Sequence, residues 1–251
     1  MIHRIPDRSF GRSYLIEEQE GLIVVDVGSI GAAREVENYC TNVLGRPQQD
    51  IRLIAVTHFH IDHIGGIGSL LKRCGPETKV IFHPFVRDYI SGKRGLPPMK
   101  NWFTGLVPIM LAGFPGIRKP SDVFFESIAG IPLPILKKYH PISYEAYICY
   151  FDMKRFPRYK IGFGNWEVAT TPGHTEDSVS FFNEDTRELI CGDLILGRND
   201  GTGYLNPFHN DRKTIVNTFK TVNNIAPLVI YPSHGEIIRH SLNAMIKVQN
   251  L

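Results

Sequence analysis

The feature that most narrows the folds open to this chain is an aliphatic, β-branched run, Ile51 to Thr57, that stops abruptly on His58-Phe59-His60-Ile61-Asp62-His63. A short apolar run without polar alternation is the pattern of a strand covered on both faces. Strands of that kind sit in sheets protected by helices or by another sheet, which predicts a layered α/β class. The same grammar recurs: Leu22 to Val27 closes on Asp26-Val27-Gly28, Trp166 to Thr170 leads to Pro172-Gly173-His174, Glu188 to Cys191 to Gly192-Asp193, and Leu228 to Tyr231 to Pro232-Ser233-His234. Strand ends of this class are where loops converge into a site.

The remaining elements follow from period and punctuation. Ser13 to Glu18 reads as a strand turning at Glu20-Gly21, with a helix from about Ala32 to Val43, a glycine-bearing helix near Ile64 to Arg73, and a short strand Lys79 to Phe82. Ser178 to Phe182 is a strand entering a hairpin over Asn183 to Arg187; Asp211 is placed to cap a helix running to Asn224, and a closing helix is expected from about Glu236. Two similar halves thus flank residues 92–160, a proline- and aromatic-rich stretch broken at Leu96-Pro97-Pro98 and Phe114-Pro115-Gly116, which reads as an insertion.

Composition excludes several functions. A formal charge of +3 over 251 residues lacks the basic excess of a dedicated nucleic-acid binder. Four scattered cysteines (Cys40, Cys74, Cys149, Cys191) form no CxxC pair, which argues against a disulfide framework or a cysteine zinc site and for a reducing, cytoplasmic setting. Met1 to Phe10 carries charges and a proline where an export signal needs an apolar run.

In extended backbone, side chains two apart point the same way, so His58 and His60 can grip one metal ion while Asp62 and His63 serve a second. His174, Asp193 and His234 each place one ligand-type side chain past a later strand. His3, His83, His140, His209 and His240 are read as ordinary surface or hydrogen-bonded residues.

An HxHxDH segment followed by an isolated His, Asp and His resembles the metallo-β-lactamase superfamily, over residues 1 to about 90 and 161–251. The resemblance implies a four-layer αββα sandwich, one domain over 1–251 with an inserted lid region at 92–160, and a binuclear site. His58, His60 and His174 would bind the first ion, Asp62, His63 and His234 the second, and Asp193 would bridge them. Asp26 would support the ligands, although a strand-terminal Asp can also cap the next helix. The cofactors implied are two divalent ions, zinc first, with iron and manganese accepting the same nitrogen and oxygen donors. His60, where the oxygen-reducing di-iron branch has glutamate, favours hydrolysis by a metal-bound hydroxide, with Asp62 steering its attack. Tyr204, in the loop after Asp193, is the candidate proton donor to the leaving group.

Between Ser91 and His140 seven basic residues face two acidic ones, a local charge of +5. Within that stretch Asn101 to Ile117 is uncharged and apolar, yet too short and too proline-broken for a membrane span. A lid over the cleft is the favoured reading; a homodimer contact and a peripheral membrane contact compete with it. The substrate expected is a small molecule with an apolar part: an ester, thioester or lactone. The alternative is a phosphodiesterase or RNA-processing nuclease, against which the apolar stretch argues, so nucleic acid is not the expected partner.

Overall fold

The computed structural model describes residues 1–133, 139–155 and 157–239. Two compact units divide the chain: Met1–Leu96 with Gly113–Phe151, and Pro97–Ala112 with the chain from Asp152 on.

In the first unit the apolar runs build a six-stranded sheet ordered β1 (Ile2–Arg4), β2 (Tyr14–Glu18), β3 (Gly21–Val25), β4 (Ile51–Ala55), β5 (Lys79–Phe82), β6 (Ile148–Tyr150). The first three strands pair antiparallel, and β3 to β6 run parallel. Every residue of β3 is buried, as its unbroken apolar pattern requires. Leu22, Val24, Ile51 and Ile54 pack in one core with Val36 and Cys40 of helix α1 (Ile30–Asn42). Ser29 caps α1, its Oγ accepting from Ala32 N at 3.0 Å.

The helix expected over Ile64 to Arg73 is two short pieces, α2 (Ile61–Ile64) and α3 (Ile67–Leu71). Gly66 N donates to Val27 O at 2.9 Å, so the backbone at the break bonds across to the strand end instead of along a helix. Helix α4 (Phe85–Ile90) follows β5.

In the second unit a widened helical turn, Trp102–Leu106, runs into α5 (Val107–Gly113). Four strands, β7 (Arg158–Lys160), β8 (Trp166–Thr170), β9 (Val179–Asn183) and β10 (Glu188–Gly192), form an antiparallel meander. A ribbon of β11 (Ile195–Gly197) and β12 (Gly203–Leu205) comes next, unannounced by the sequence pattern, and then α6 (Arg212–Ile225) and β13 (Val229–Pro232), which lies parallel beside β10. Asp211 caps α6 as expected, accepting from Thr214 N at 3.3 Å. Ile215, Phe219 and Val222 of α6 pack against Phe182, Leu189 and Ile230.

Two expectations change here. Residues 92–160 are not wholly outside the sheets, because their later part supplies the edge strands β6 and β7. Glu236 to Arg239 is not helical: Ile238 is fully buried and exchanges two 2.9 Å backbone hydrogen bonds with Ile230. The rest of that predicted helix, with His240, lies outside the described residues, as do Lys137 and Lys138. Among the described residues no helix is long and apolar enough to cross a membrane.

Candidate metal centre

Past the end of β4 the chain does not stay extended, contrary to what the two-residue spacing predicts: it bends at Thr57 and again at Phe59, His60 N donates to His58 O at 3.1 Å, and this tight turn brings the two imidazoles together. His58 Nε2 lies 3.1 Å from His60 Nδ1, and the His58 and His63 ring centroids are 4.0 Å apart. All three histidines are buried, and His63 Nε2 is 3.7 Å from Asp62 Oδ2.

Asp26 organises this cluster from the end of β3. It is buried, and its backbone takes a left-handed φ of 60°, a conformation Asp tolerates better than most residues. Oδ1 accepts from Thr57 N at 2.8 Å; Oδ2 accepts from Thr57 Oγ1 at 2.7 Å and from His63 Nδ1 at 2.8 Å. The capping alternative for Asp26 is thereby excluded, since Ser29 caps α1. With its proton on Nδ1, His63 carries its lone pair on Nε2. Thr57 Oγ1, whose proton is committed to Asp26, faces His58 Nδ1 at 3.1 Å and can accept from it. That places the His58 lone pair on Nε2, towards His60.

In the second unit His174, Asp193 and His234 follow β8, β10 and β13. The last two strands are parallel neighbours, so Asp193 and His234 emerge at the same sheet edge. Strand β8 runs in the same direction one strand beyond β9, which brings His174 there too. Asp193 Oδ2 lies 3.4 Å from His174 Nε2 and Oδ1 lies 3.3 Å from His234 Nε2. His174 Nδ1 donates to Phe208 O at 2.7 Å, leaving the lone pair on Nε2, facing Asp193. Asn206 ties this together, donating to Asp193 O at 2.9 Å and accepting from Phe208 N at 2.9 Å.

These arrangements fit divalent cations. Two donors about 2.0–2.1 Å from a tetrahedral ion lie about 3.3 Å apart, close to the spacings between His58 and His60 and between Asp193 and its two histidines. Rings whose outer nitrogen is fixed by a carboxylate, hydroxyl or carbonyl are the form in which imidazole binds metal.

Tyr204 sits on β12 opposite Leu196, partly buried against Met99, Ile109, Leu196 and Phe208, with the Arg198 guanidinium 4.8 Å over its ring. Burial pushes its phenol above the ordinary value. His209 is buried, which holds its imidazole below the ordinary value. His83 Nδ1 accepts from Phe85 N and His140 Nδ1 from Gly130 N, while His3 contacts Glu17 and Tyr39. Thr57, Asn206 and the Phe208 carbonyl were not anticipated. Thr57 could have been noticed beside His58; a backbone carbonyl leaves no trace in a sequence.

The sequence profile of the Metallo-beta-lactamase superfamily matches residues 6–234. The chain belongs to that superfamily and is, by class, a metal-dependent hydrolase. It is 27% identical over 247 residues to the Bacillus subtilis (strain 168) protein named "Probable metallo-hydrolase YqjP", covering 93% of this chain and 69% of that one. It is 24% identical to the Caenorhabditis elegans "Beta-lactamase-like protein 2 homolog", covering 90% of this chain but 56% of the relative, and it likewise spans only 58% of a second Bacillus subtilis relative, YflN. Among solved structures, the archaeal superfamily protein ST1585 from Sulfolobus tokodaii superposes with a TM-score of 0.60 at 17% identity over 97% of this chain and 82% of that one. TTHA1623 in a di-iron-bound form gives 0.53 at 22% identity over 93% and 92%. The fold is therefore the metallo-β-lactamase fold that the resemblance implied.

Proposed function

We propose that the two clusters form one binuclear centre that hydrolyses an ester, thioester or lactone with an apolar portion. His58, His60 and His174 would hold one divalent ion, Asp62, His63 and His234 the other, with Asp193 shared between them. The observation that carries this reading is Asp193, whose two carboxylate oxygens each face a different imidazole, His174 and His234, the disposition a bridging carboxylate needs. Divalent ions, when bound there, would supply a water acidified towards neutrality and a Lewis acid for the scissile group.

The chain's own residues supply the rest. Asp62 accepts a hydrogen bond from the attacking water and sets its direction. Asp26 and Phe208 O fix the tautomers of His63 and His174. Tyr204, a phenol protonated at neutral pH, gives a proton to the leaving group. Met99, Trp102, Leu106 and Ile109, packed beside Tyr204, favour an apolar substrate portion over a phosphate backbone. Zinc is the first choice of metal; the di-iron form of TTHA1623 keeps iron beside it.

Metal analysis of the purified protein, with a panel of esters, thioesters, lactones and phosphodiesters, tests this reading. Two bound ions and ester-class turnover are expected, both lost in Asp193→Ala, and Tyr204→Phe should slow substrates with poor leaving groups most. Turnover of phosphodiesters alone, with steep salt dependence of KM, would replace the substrate class. Full metal content in Asp193→Ala would remove the bridge.

A further inference from the structure

The helical segment that begins at Trp102 has two unlike faces. On one, Ile109 is buried with Met99, Leu196 and Phe208, and Trp102 and Leu106 pack against them. The segment's start is pinned there by Lys100 N donating to His209 O and Asn101 Nδ2 donating to Pro207 O, both at 2.8 Å. On the other face Phe103 is 86% exposed and Leu111 62%, with Val107 and Met110 also exposed. Those four fall at i, i+4, i+7 and i+8, a single helical stripe. Large apolar side chains grouped this way on an anchored helix mark a contact surface.

Charge identifies the occupant. No acidic residue lies between Asp88 and Asp122, whereas Lys93, Arg94, Lys100, Arg118 and Lys119 do, and all but Arg94 are exposed. A second copy of the chain on this stripe would bring the same lysines and arginines together, a like-charge contact that costs affinity. A surface that is apolar in depth and negative at its boundary satisfies both features at once. The uncharged run from Asn101 to Ile117 carries Pro108 and Pro115 and is too short to span a bilayer, so it suits a helix lying in the interface plane.

We propose that this face docks on an anionic lipid bilayer, with Phe103, Val107, Met110 and Leu111 entering the boundary between headgroups and acyl chains while Lys100, exposed at the start of the same segment, meets the anionic headgroups. The substrate role assigned above would draw on the partly buried Trp102 and Leu106 of the opposite face, so the two roles use different side chains.

Cosedimentation of the full-length protein with phosphatidylcholine vesicles and with equimolar phosphatidylcholine–phosphatidylserine vesicles tests the proposal. Binding to the mixed vesicles is expected, weakened by salt and at least about tenfold poorer on phosphatidylcholine alone. The double variant F103S/L111S should lose about tenfold or more. K100A should lose about fivefold on mixed vesicles and little on neutral ones. Circular dichroism melts verify folding, and in a separate F103W variant the added tryptophan should shift to the blue only with mixed vesicles. No binding to mixed vesicles at low salt, or binding unaffected by F103S/L111S, overturns the proposal. So does a wild-type dimer in light scattering that F103S/L111S dissociates without any vesicle binding, which would assign the stripe to a second copy.

Discussion

Replacing Asp26 with Asn tests whether the carboxylate, and not merely a polar group, sets the chemistry of His63. The carboxylate accepts three hydrogen bonds at 2.7–2.8 Å from buried donors: Thr57 N, Thr57 Oγ1 and His63 Nδ1. Asn keeps one acceptor, enough for Thr57 N, and turns an amide donor towards the other two. Thr57 can rotate its hydroxyl. His63 can only respond by surrendering the Nδ1 proton to become an acceptor, which moves that proton onto Nε2, the nitrogen assigned to metal. The left-handed backbone costs Asn no more than Asp, so the comparison isolates the carboxylate. Loss of a group that orients a ligating histidine typically weakens metal binding by about 10–100-fold, or about 1.4–2.8 kcal/mol. Metal-free stability should fall by about 1–3 kcal/mol for the unsatisfied buried donor. Chelator competition reads the affinity, and nitrogen-15 spectra of the metal-free protein read the His63 tautomer. An affinity within about twofold of wild type, with the proton still on Nδ1, would refute the reasoning.

Three further outcomes are expected. Gly235→Ala, at φ 83° with the added Cβ only 1.9 Å from Gly197 O, should destabilise by about 2–4 kcal/mol in denaturant melts, whereas Gly45→Ala, at φ 63° with nothing within 4 Å, should cost about 1 kcal/mol. Gly105→Val would drive a side chain into the Phe208 backbone, 2.8 Å from its N, and shift the carbonyl that orients His174; weaker metal binding should accompany a stability loss of about 1–3 kcal/mol. His140 is held by burial below its ordinary value of 6.5, so the unfolded chain takes up its proton first as the pH drops; stability is full above about pH 6.5 and declines below it, and in His140→Gln that decline should be shallower in melts across pH 5 to 7.

Much of the candidate metal centre could be anticipated because its ligand-type side chains sit just past strand ends. His58 and His60 do meet, but through bends at Thr57 and Phe59 and not through strand alternation, whereas the parallel pairing of β10 with β13 brings Asp193 to His234. The role of Asp26 could not be chosen beforehand, since an aspartate after a strand supports ligands or caps a helix equally well in sequence. Its φ of 60° and three buried donors decide between them. Pro108 argues against a long helix, yet it falls inside the helical run that begins at Trp102, just after the turn widens over Trp102–Leu106. Ile238 looked like part of a helix because its neighbours have ordinary helix propensity; the vacant backbone groups of Ile230 recruited it to the sheet.

One topological fact bears on how this protein can be made. The second unit is assembled from two stretches of chain, Pro97–Ala112 and everything after Phe151, so it does not exist as a continuous C-terminal piece. A polypeptide started at Asp152 would leave Phe208 and Leu196 stripped of Met99 and Ile109, and the strip that holds the His174 imidazole without its bracing. During synthesis the bracing segment leaves the ribosome well before the residues it supports and must wait for them. A truncation or domain graft meant to keep the second unit should therefore retain residues 97–112 together with the chain from Asp152 on.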